Sequence, residues 1–244
     1  MTINRQEMKK IDLTKALGID ISNIAEEEHK DPREKAFILN ESNNAAHIPQ
    51  RFEKCTFEDY QTEITDLVKI FCTEKESDKL LIIEGPTGTG KTTLACSAVH
   101  ERALKGLASG TYFSMRTFMP TIRTSRSFSA KESELMLYER LSKTPFLVLD
   151  EVGTAGNIPE ESAFLKTIIA ARYDNYVPTL ITTNLGTSNL KGLILGVTPD
   201  DFPSSSEFQT FIRSYAPGDP IINRIGAIGK VVSLLGESKR GYSW

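Results

Sequence analysis

The chain has 244 residues and a mass of 27.1 kDa, with 39% hydrophobic and 25% charged residues, which excludes collagen-like, coiled-coil-only and wholly disordered chains. A formal net charge of −3 and a pI near 5.8 give no chain-wide positive field, so any contact with nucleic acid has to be local. The three cysteines, Cys55, Cys72 and Cys96, are odd in number and widely spaced, which argues against a disulfide framework and a cysteine-pair zinc site and fits a reducing cytoplasm. No apolar run reaches the roughly 20 residues that span a bilayer, and MTINRQEMKKIDL lacks a signal-peptide core, so neither membrane nor secretion is expected.

Residues 1–48 read as an N-terminal arm, with an acidic cluster at Glu26, Glu27 and Glu28 and a polar stretch through Asn40, Ser42, Asn43 and Asn44. Ile11, Leu13 and Leu17 suggest one short helix, and Ala36, Ile38 and Leu39 after Pro32 suggest a second. Two such helices cannot bury a core of their own, so the arm either packs on the main body or awaits a partner. Residues 48–60 read as an extended lead-in. A helix over about 61–72 follows, with Ile64, Leu67, Val68 and Phe71 on one face.

From residue 80 the apolar runs 80–83, 111–114, 146–149 and 179–182 alternate with helical patterns, which predicts an α/β domain over 49–244 built on a parallel sheet flanked by helices. The run 146–149 is apolar throughout and belongs in the middle of the sheet. Residues 124–129 and 204–206 read as loops.

Directly after the first run stands GPTGTGKT, which fits G-x-x-x-x-G-K-[ST] with a strand before it and a helical pattern after it. Gly85, Gly88 and Gly90 let the backbone of Gly85, Pro86, Thr87, Gly88, Thr89 and Gly90 curl so that its N–H groups face a triphosphate. Lys91 then reaches the β and γ phosphates, Thr92 offers its hydroxyl to Mg²⁺, and Thr93 is a weaker neighbour. The strand 146–149 ends in Asp150 and Glu151. Asp150 is placed to complete the Mg²⁺ shell through water, and Glu151 to deprotonate the attacking water. Asn184, after Thr182 and Thr183, is placed to hold that water or sense the γ-phosphate. Arg224 and Arg240 both offer a guanidinium to a triphosphate, one of them in a neighbouring subunit.

The strings IPQRFEKCTFEDY, GPTGTGKTTLA, FLVLDEVG and ARYDNYVPTLITTNL, with the late INRI and GESKR, resemble the DnaC/IstB family of AAA+ ATPases over residues 48–244. The short arm without a zinc module is more similar to helicase loaders of the DnaC type. The resemblance implies that Asn184 is the first sensor, Arg224 a finger acting in trans and Arg240 the second sensor, although Lys239 stands where the family usually has an aromatic residue. It implies a cytoplasmic ATPase using ATP and Mg²⁺, slow alone and stimulated by assembly. Such a protein self-associates in the ATP state, binds single-stranded DNA, and delivers a hexameric DnaB-type replicative helicase gripped by the arm. The long polar stretch 190–217 has no assigned role in that scheme.

Cations interleaved with aromatics at Arg116, Phe118, Arg123, Arg126 and Phe128 suit a single strand, since guanidinium meets phosphate and rings stack on bases. The rival readings are an IstB-like transposition helper acting on duplex DNA, a small-molecule phosphotransferase, and a nucleotide-binding scaffold without turnover. Glu151 beside Asp150 and the two late arginines weigh against the phosphotransferase.

Overall fold

Among the described residues five strands form a single sheet in the order β2-β3-β4-β1-β5, and every pairing is parallel. They are β1 (Leu80–Glu84), β2 (Thr111–Ser114), β3 (Leu147–Val152), β4 (Thr179–Thr183) and β5 (Gly229–Ser233). The computed structural model describes residues 31–75, 78–108, 110–125 and 133–235. The expected arm helix around Leu13 and Leu17 and the acidic cluster at Glu26 lie outside the described residues.

Alternation along the strands splits the core into two layers. Leu81, Ile83, Tyr112, Val148 and Leu180 face one side with α1 (Pro32–Ala46), α2 (Thr65–Thr73) and α3 (Lys91–Leu104). Leu80, Ile82, Leu147, Leu149 and Ile181 face the other. There they meet α4 (Met115–Ser125), α5 (Glu134–Lys143), α6 (Ile158–Asp174), α7 (Thr187–Leu195) and α9 (Pro220–Ile228). The sheet is covered on both faces, as continuous apolar strands require.

Several boundaries differ from the sequence expectation. Helix α1 does start at Pro32, with Asp31 accepting from the Arg33 N–H at 2.8 Å as N-cap. It packs against α3, and Ala46 and Ile48 sit in the same core layer as β1, so residues 32–48 of the expected arm are part of the body. The lead-in is not extended throughout: Gln50–Phe52 form a 3₁₀ turn. Helix α2 begins at Thr65 rather than 61. Residues 190–217 are mostly helical, in α7 and α8 (Ser205–Tyr215), with Phe208, Ile212 and Ala216 closing a satellite core against Leu195, Val197 and Phe202. Ser204 accepts from the Glu207 N–H at 3.3 Å and so caps α8 instead of lying in a loop, while Thr124 and Ser125 belong to α4. Among the described residues no helix is long and apolar enough to cross a membrane.

Candidate active site

The sheet order puts the carboxyl ends of β3, β4 and β1 side by side, and the chemistry-bearing residues all follow those ends. After β1 the chain turns at Gly85, where a Cβ would collide with the Leu234 carbonyl oxygen beyond β5. It re-enters a helix at Gly90, whose φ of +93° favours glycine and where a Cβ would strike the Tyr60 hydroxyl. Lys91 opens α3 and is buried, donating to the Gly85 carbonyl at 2.8 Å and the Pro86 carbonyl at 2.6 Å. Thr89 is also buried and donates to the Pro86 carbonyl at 3.0 Å, which tightens the loop. The N-terminal N–H groups of α3 face the same space, an electropositive cradle for an anion.

Consecutive residues of a regular strand face opposite ways, yet Glu151 lines this space and Asp150, buried beside it, meets the lining Thr92 hydroxyl. The β3–β4 register shifts between Leu149 and Val152, and Glu151 adopts φ +59°, a bulge that re-aims the pair. Asp150 is 1% exposed and accepts from three hydroxyls: Tyr112 at 2.6 Å, Thr182, and Thr92 at 3.0 and 3.1 Å from its two oxygens. Burial raises its carboxyl above the ordinary value, and the bonds from Thr182, Tyr112 and Thr92 oppose that rise. Burial likewise holds the Tyr112 phenol protonated, and the charge of Asp150 adds to the effect. Thr182 also accepts from the Glu151 N–H at 3.1 Å, and Ser114 donates to the Glu151 carboxylate at 3.0 Å. The following turn is pinned from beneath by buried Glu161, which accepts from the Gly153 N–H at 2.7 Å.

One cavity is lined by Thr87, Gly88, Gly90, Lys91, Thr92, Thr93, Glu151, Thr182 and Asn184. Asn184 is exposed at the end of β4, on the strand between the phosphate loop and the acidic pair. Three further lining residues went unnoticed in the sequence: Arg51, Phe52 and Tyr60. They fold back from the segment before α2. Arg51 stacks on Phe52, 4.4 Å from the ring centroid, and the Tyr60 hydroxyl donates to the Thr89 carbonyl at 2.5 Å.

The other expected site residues divide. Arg224, on α9, is not among the residues lining this cavity; its guanidinium lies 5.5 Å from the centre of the Tyr173 ring. Phe118 does not stack on bases: it is 4% exposed, with its ring 4.2 Å from that of Phe113 and 5.4 Å from that of Phe164. Arg123 is committed to Glu160 at 2.6 Å, and Arg116 is exposed. Arg126, Phe128 and Arg240 lie outside the described residues.

A family model described as "IstB-like ATP binding protein" matches residues 16–194, well over half of the chain. The chain belongs to the IstB-like ATP binding family. This IstB-like chain is 26% identical over 167 residues to the replicative helicase loader DnaC of Escherichia coli K12, covering 66% of itself and 67% of that protein. Among solved structures, the DnaC helicase loader aligns with a TM-score of 0.54 at 20% identity, covering 76% of this chain and 99% of that one. AMPPCP-bound DnaA from Aquifex aeolicus aligns with a TM-score of 0.55 at 16% identity, covering 76% of this chain and 50% of that one. These likenesses fix the fold as the AAA+ P-loop type, as the sequence resemblance implied.

Whether the IstB-like site suits a divalent ion is a question of its donors. The Thr92 hydroxyl and the Asp150 carboxylate are neighbouring oxygen ligands, which suits a hard cation. Among the described residues there is no cluster of three His, Cys, Asp or Glu side chains able to cage a metal. One hydroxyl and one carboxylate are what Mg²⁺ uses when phosphates supply the other ligands, so the residues present fit the ion.

Proposed function

We propose that this chain is an ATPase that loads a replicative helicase, with Lys91, Thr92, Asp150 and Glu151 working on MgATP in the cavity at the carboxyl edge of the sheet. The observation that carries the reading is one cavity lined by the phosphate loop and a re-aimed Glu151, with buried Asp150 hydrogen-bonded to its lining residue Thr92.

The loop amides and Lys91 hold the phosphates, and Thr92 with Asp150 holds Mg²⁺, which would neutralise charge on the β and γ phosphates. Tyr112 and Thr182 orient the Asp150 carboxylate and favour its ionised form against burial. Glu151 takes the proton of the attacking water, and Asn184 positions that water. Ser114 donates to one oxygen of Glu151 and orients the carboxylate, whose other oxygen keeps its lone pairs for the water proton. Gly85, Pro86, Thr87, Gly88, Thr89, Gly90 and Thr93 shape the nucleotide cradle, Arg51, Phe52 and Tyr60 close it, and Arg240 is assigned as the second sensor.

Arg224 serves a neighbouring subunit. Its place away from its own cavity supports that role, and ATP then favours self-association. The likeness to DnaC supports a hexameric helicase as partner and a role in replication initiation. The N-terminal residues supply the grip on the helicase, and of the arginines expected to meet single-stranded DNA, Arg116 is described and exposed.

Copurification of the full chain from its native cell tests the reading. A hexameric helicase recovered in an ATP-dependent manner supports it, and recovery of a transposase instead replaces it with the transposition-helper reading. A truncated comparison has to stop at residue 30, because Ala46 and Ile48 are core.

A further inference from the structure

One fully buried carboxylate does not line the cavity but reaches its catalytic edge from behind. Glu161, in the first turn of α6, has no exposed surface, and both of its oxygens accept from the turn that follows Glu151: Oε1 from the Gly153 N–H at 2.7 Å and Oε2 from the Ala155 N–H at 3.4 Å. The helix N-terminus favours a negative charge there. Burial raises this carboxyl above its ordinary value, and the same two N–H groups oppose the rise. A carboxylate accepts on both oxygens, whereas an amide of the same shape turns a donor toward one of the two N–H groups.

The turn requires such a brace. Glu151 and Gly153 both adopt left-handed backbone, with φ of +59° and +92°, and a non-glycine residue stays in that region only where its surroundings hold it. Within the turn, the Thr154 hydroxyl and N–H donate to the Glu151 carbonyl at 2.7 and 3.2 Å. Beside it, Gly153 lies so close to Leu185 that a Cβ would collide with that side chain. The Thr183 hydroxyl donates to the Val152 carbonyl at 2.7 Å and accepts from the Leu185 N–H at 3.0 Å. The end of β4 and Leu185 therefore hold the turn from one side, and Glu161 holds it from α6.

We propose that Glu161 is a positioning residue for ATP hydrolysis, one that sets the aim of the Glu151 carboxylate through the turn 153–155 without lining the cavity itself. The proposal rests on the reading of the site as an ATPase. In that reaction the water oxygen bonds to the γ-phosphorus, the bond from that phosphorus to the β–γ bridging oxygen breaks, ADP leaves with the electron pair, and a proton of the water passes to Glu151. A base misplaced by about 1 Å costs on the order of 100-fold in rate. The phosphate loop, Lys91 and Thr92 lie on α3 and the β1 edge, away from this turn, so loosening it costs rate and spares affinity.

The test is Glu161→Gln in the full chain, which keeps the shape and one acceptor but turns an NH₂ toward the other N–H. Affinity for ATP with Mg²⁺, by equilibrium binding, is expected to stay within about threefold of wild type, while the single-turnover hydrolysis rate falls by at least about tenfold. Adding Glu161→Gln to Glu151→Gln is expected to slow hydrolysis by less than about twofold further, because the base it aims is already gone. If Glu161→Gln does not fold, Glu161→Met, which keeps the volume without a buried donor, is read in the same way. Hydrolysis within about twofold of wild type, affinity and rate falling together, or losses that multiply in the double variant would overturn the proposal. Wild type that binds ATP but releases no phosphate would instead refute the ATPase reading beneath it.

Discussion

Replacing Tyr112 by phenylalanine removes one hydroxyl from the centre of the site while keeping the ring that packs in the core. The phenol donates to the Asp150 carboxylate at 2.6 Å where both residues are buried, so water cannot take its place. A charge-assisted bond of this kind contributes about 1.5–3 kcal/mol, and the variant should lose about 2 kcal/mol of stability at pH 7. With a urea slope of about 2 kcal/mol/M, the unfolding midpoint falls by about 1 M. The sign of the pH dependence follows from burial. Because the folded carboxyl is raised above its ordinary value, the folded state holds that proton longer than the unfolded state, and stability falls as pH rises from the ordinary value through the raised one. Removing a donor to the ionised form raises it further, so the deficit of the variant should be full at pH 7. Once the pH falls below the raised value the folded carboxyl is neutral and the lost bond is worth about 1 kcal/mol, which the pH 4 measurement probes. Urea titrations of both proteins at both pH values check this. A deficit below about 0.5 kcal/mol at pH 7, or an equal deficit at both pH values, would refute the claim that Tyr112 holds an ionised Asp150.

Glu151→Gln should leave nucleotide affinity within a few-fold of wild type and reduce phosphate release by at least about 100-fold, measured by single-turnover hydrolysis. Phe118→Ala should cost about 3–5 kcal/mol in chemical denaturation, since a packed ring is removed from between Phe113 and Phe164, and should leave single-strand affinity of the folded protein unchanged. Arg116→Ala should weaken single-strand binding and lower the magnitude of its salt slope by about 0.7, read by fluorescence anisotropy across salt concentrations. Arg224→Ala should leave nucleotide binding by the isolated chain intact but abolish assembly-stimulated turnover, and mixing with Glu151→Gln subunits should restore some of it if the arginine acts in trans.

Much of the sheet was legible because strands buried on both faces must be apolar at every position, and 80–83 and 146–149 announce themselves in that way. The fifth strand was not. Gly-Lys-Val-Val-Ser in β5 is short, lies at an edge, and has only two apolar residues, so its pairing with β1 is a tertiary event. The phosphate loop was readable because its chemistry is local in sequence. Arg51, Phe52 and Tyr60 were not, since they reach the cavity only when the chain folds back over Gly90, where the missing Cβ leaves room for Tyr60. In α4 a usable signal existed. Met115, Phe118, Met119 and Ile122 fall on one helical face and are all buried, a spacing that marks Phe118 as core although the arginines around it led the sequence reading to assign it to DNA.

Equilibrium binding of ATP to the purified full chain, with and without Mg²⁺, tests the central claim most directly. Saturable binding that strengthens with Mg²⁺ and is lost in Lys91→Ala is the predicted result. Folded protein that shows no uptake at millimolar ATP with Mg²⁺ present, or binding indifferent to Lys91, would contradict the account.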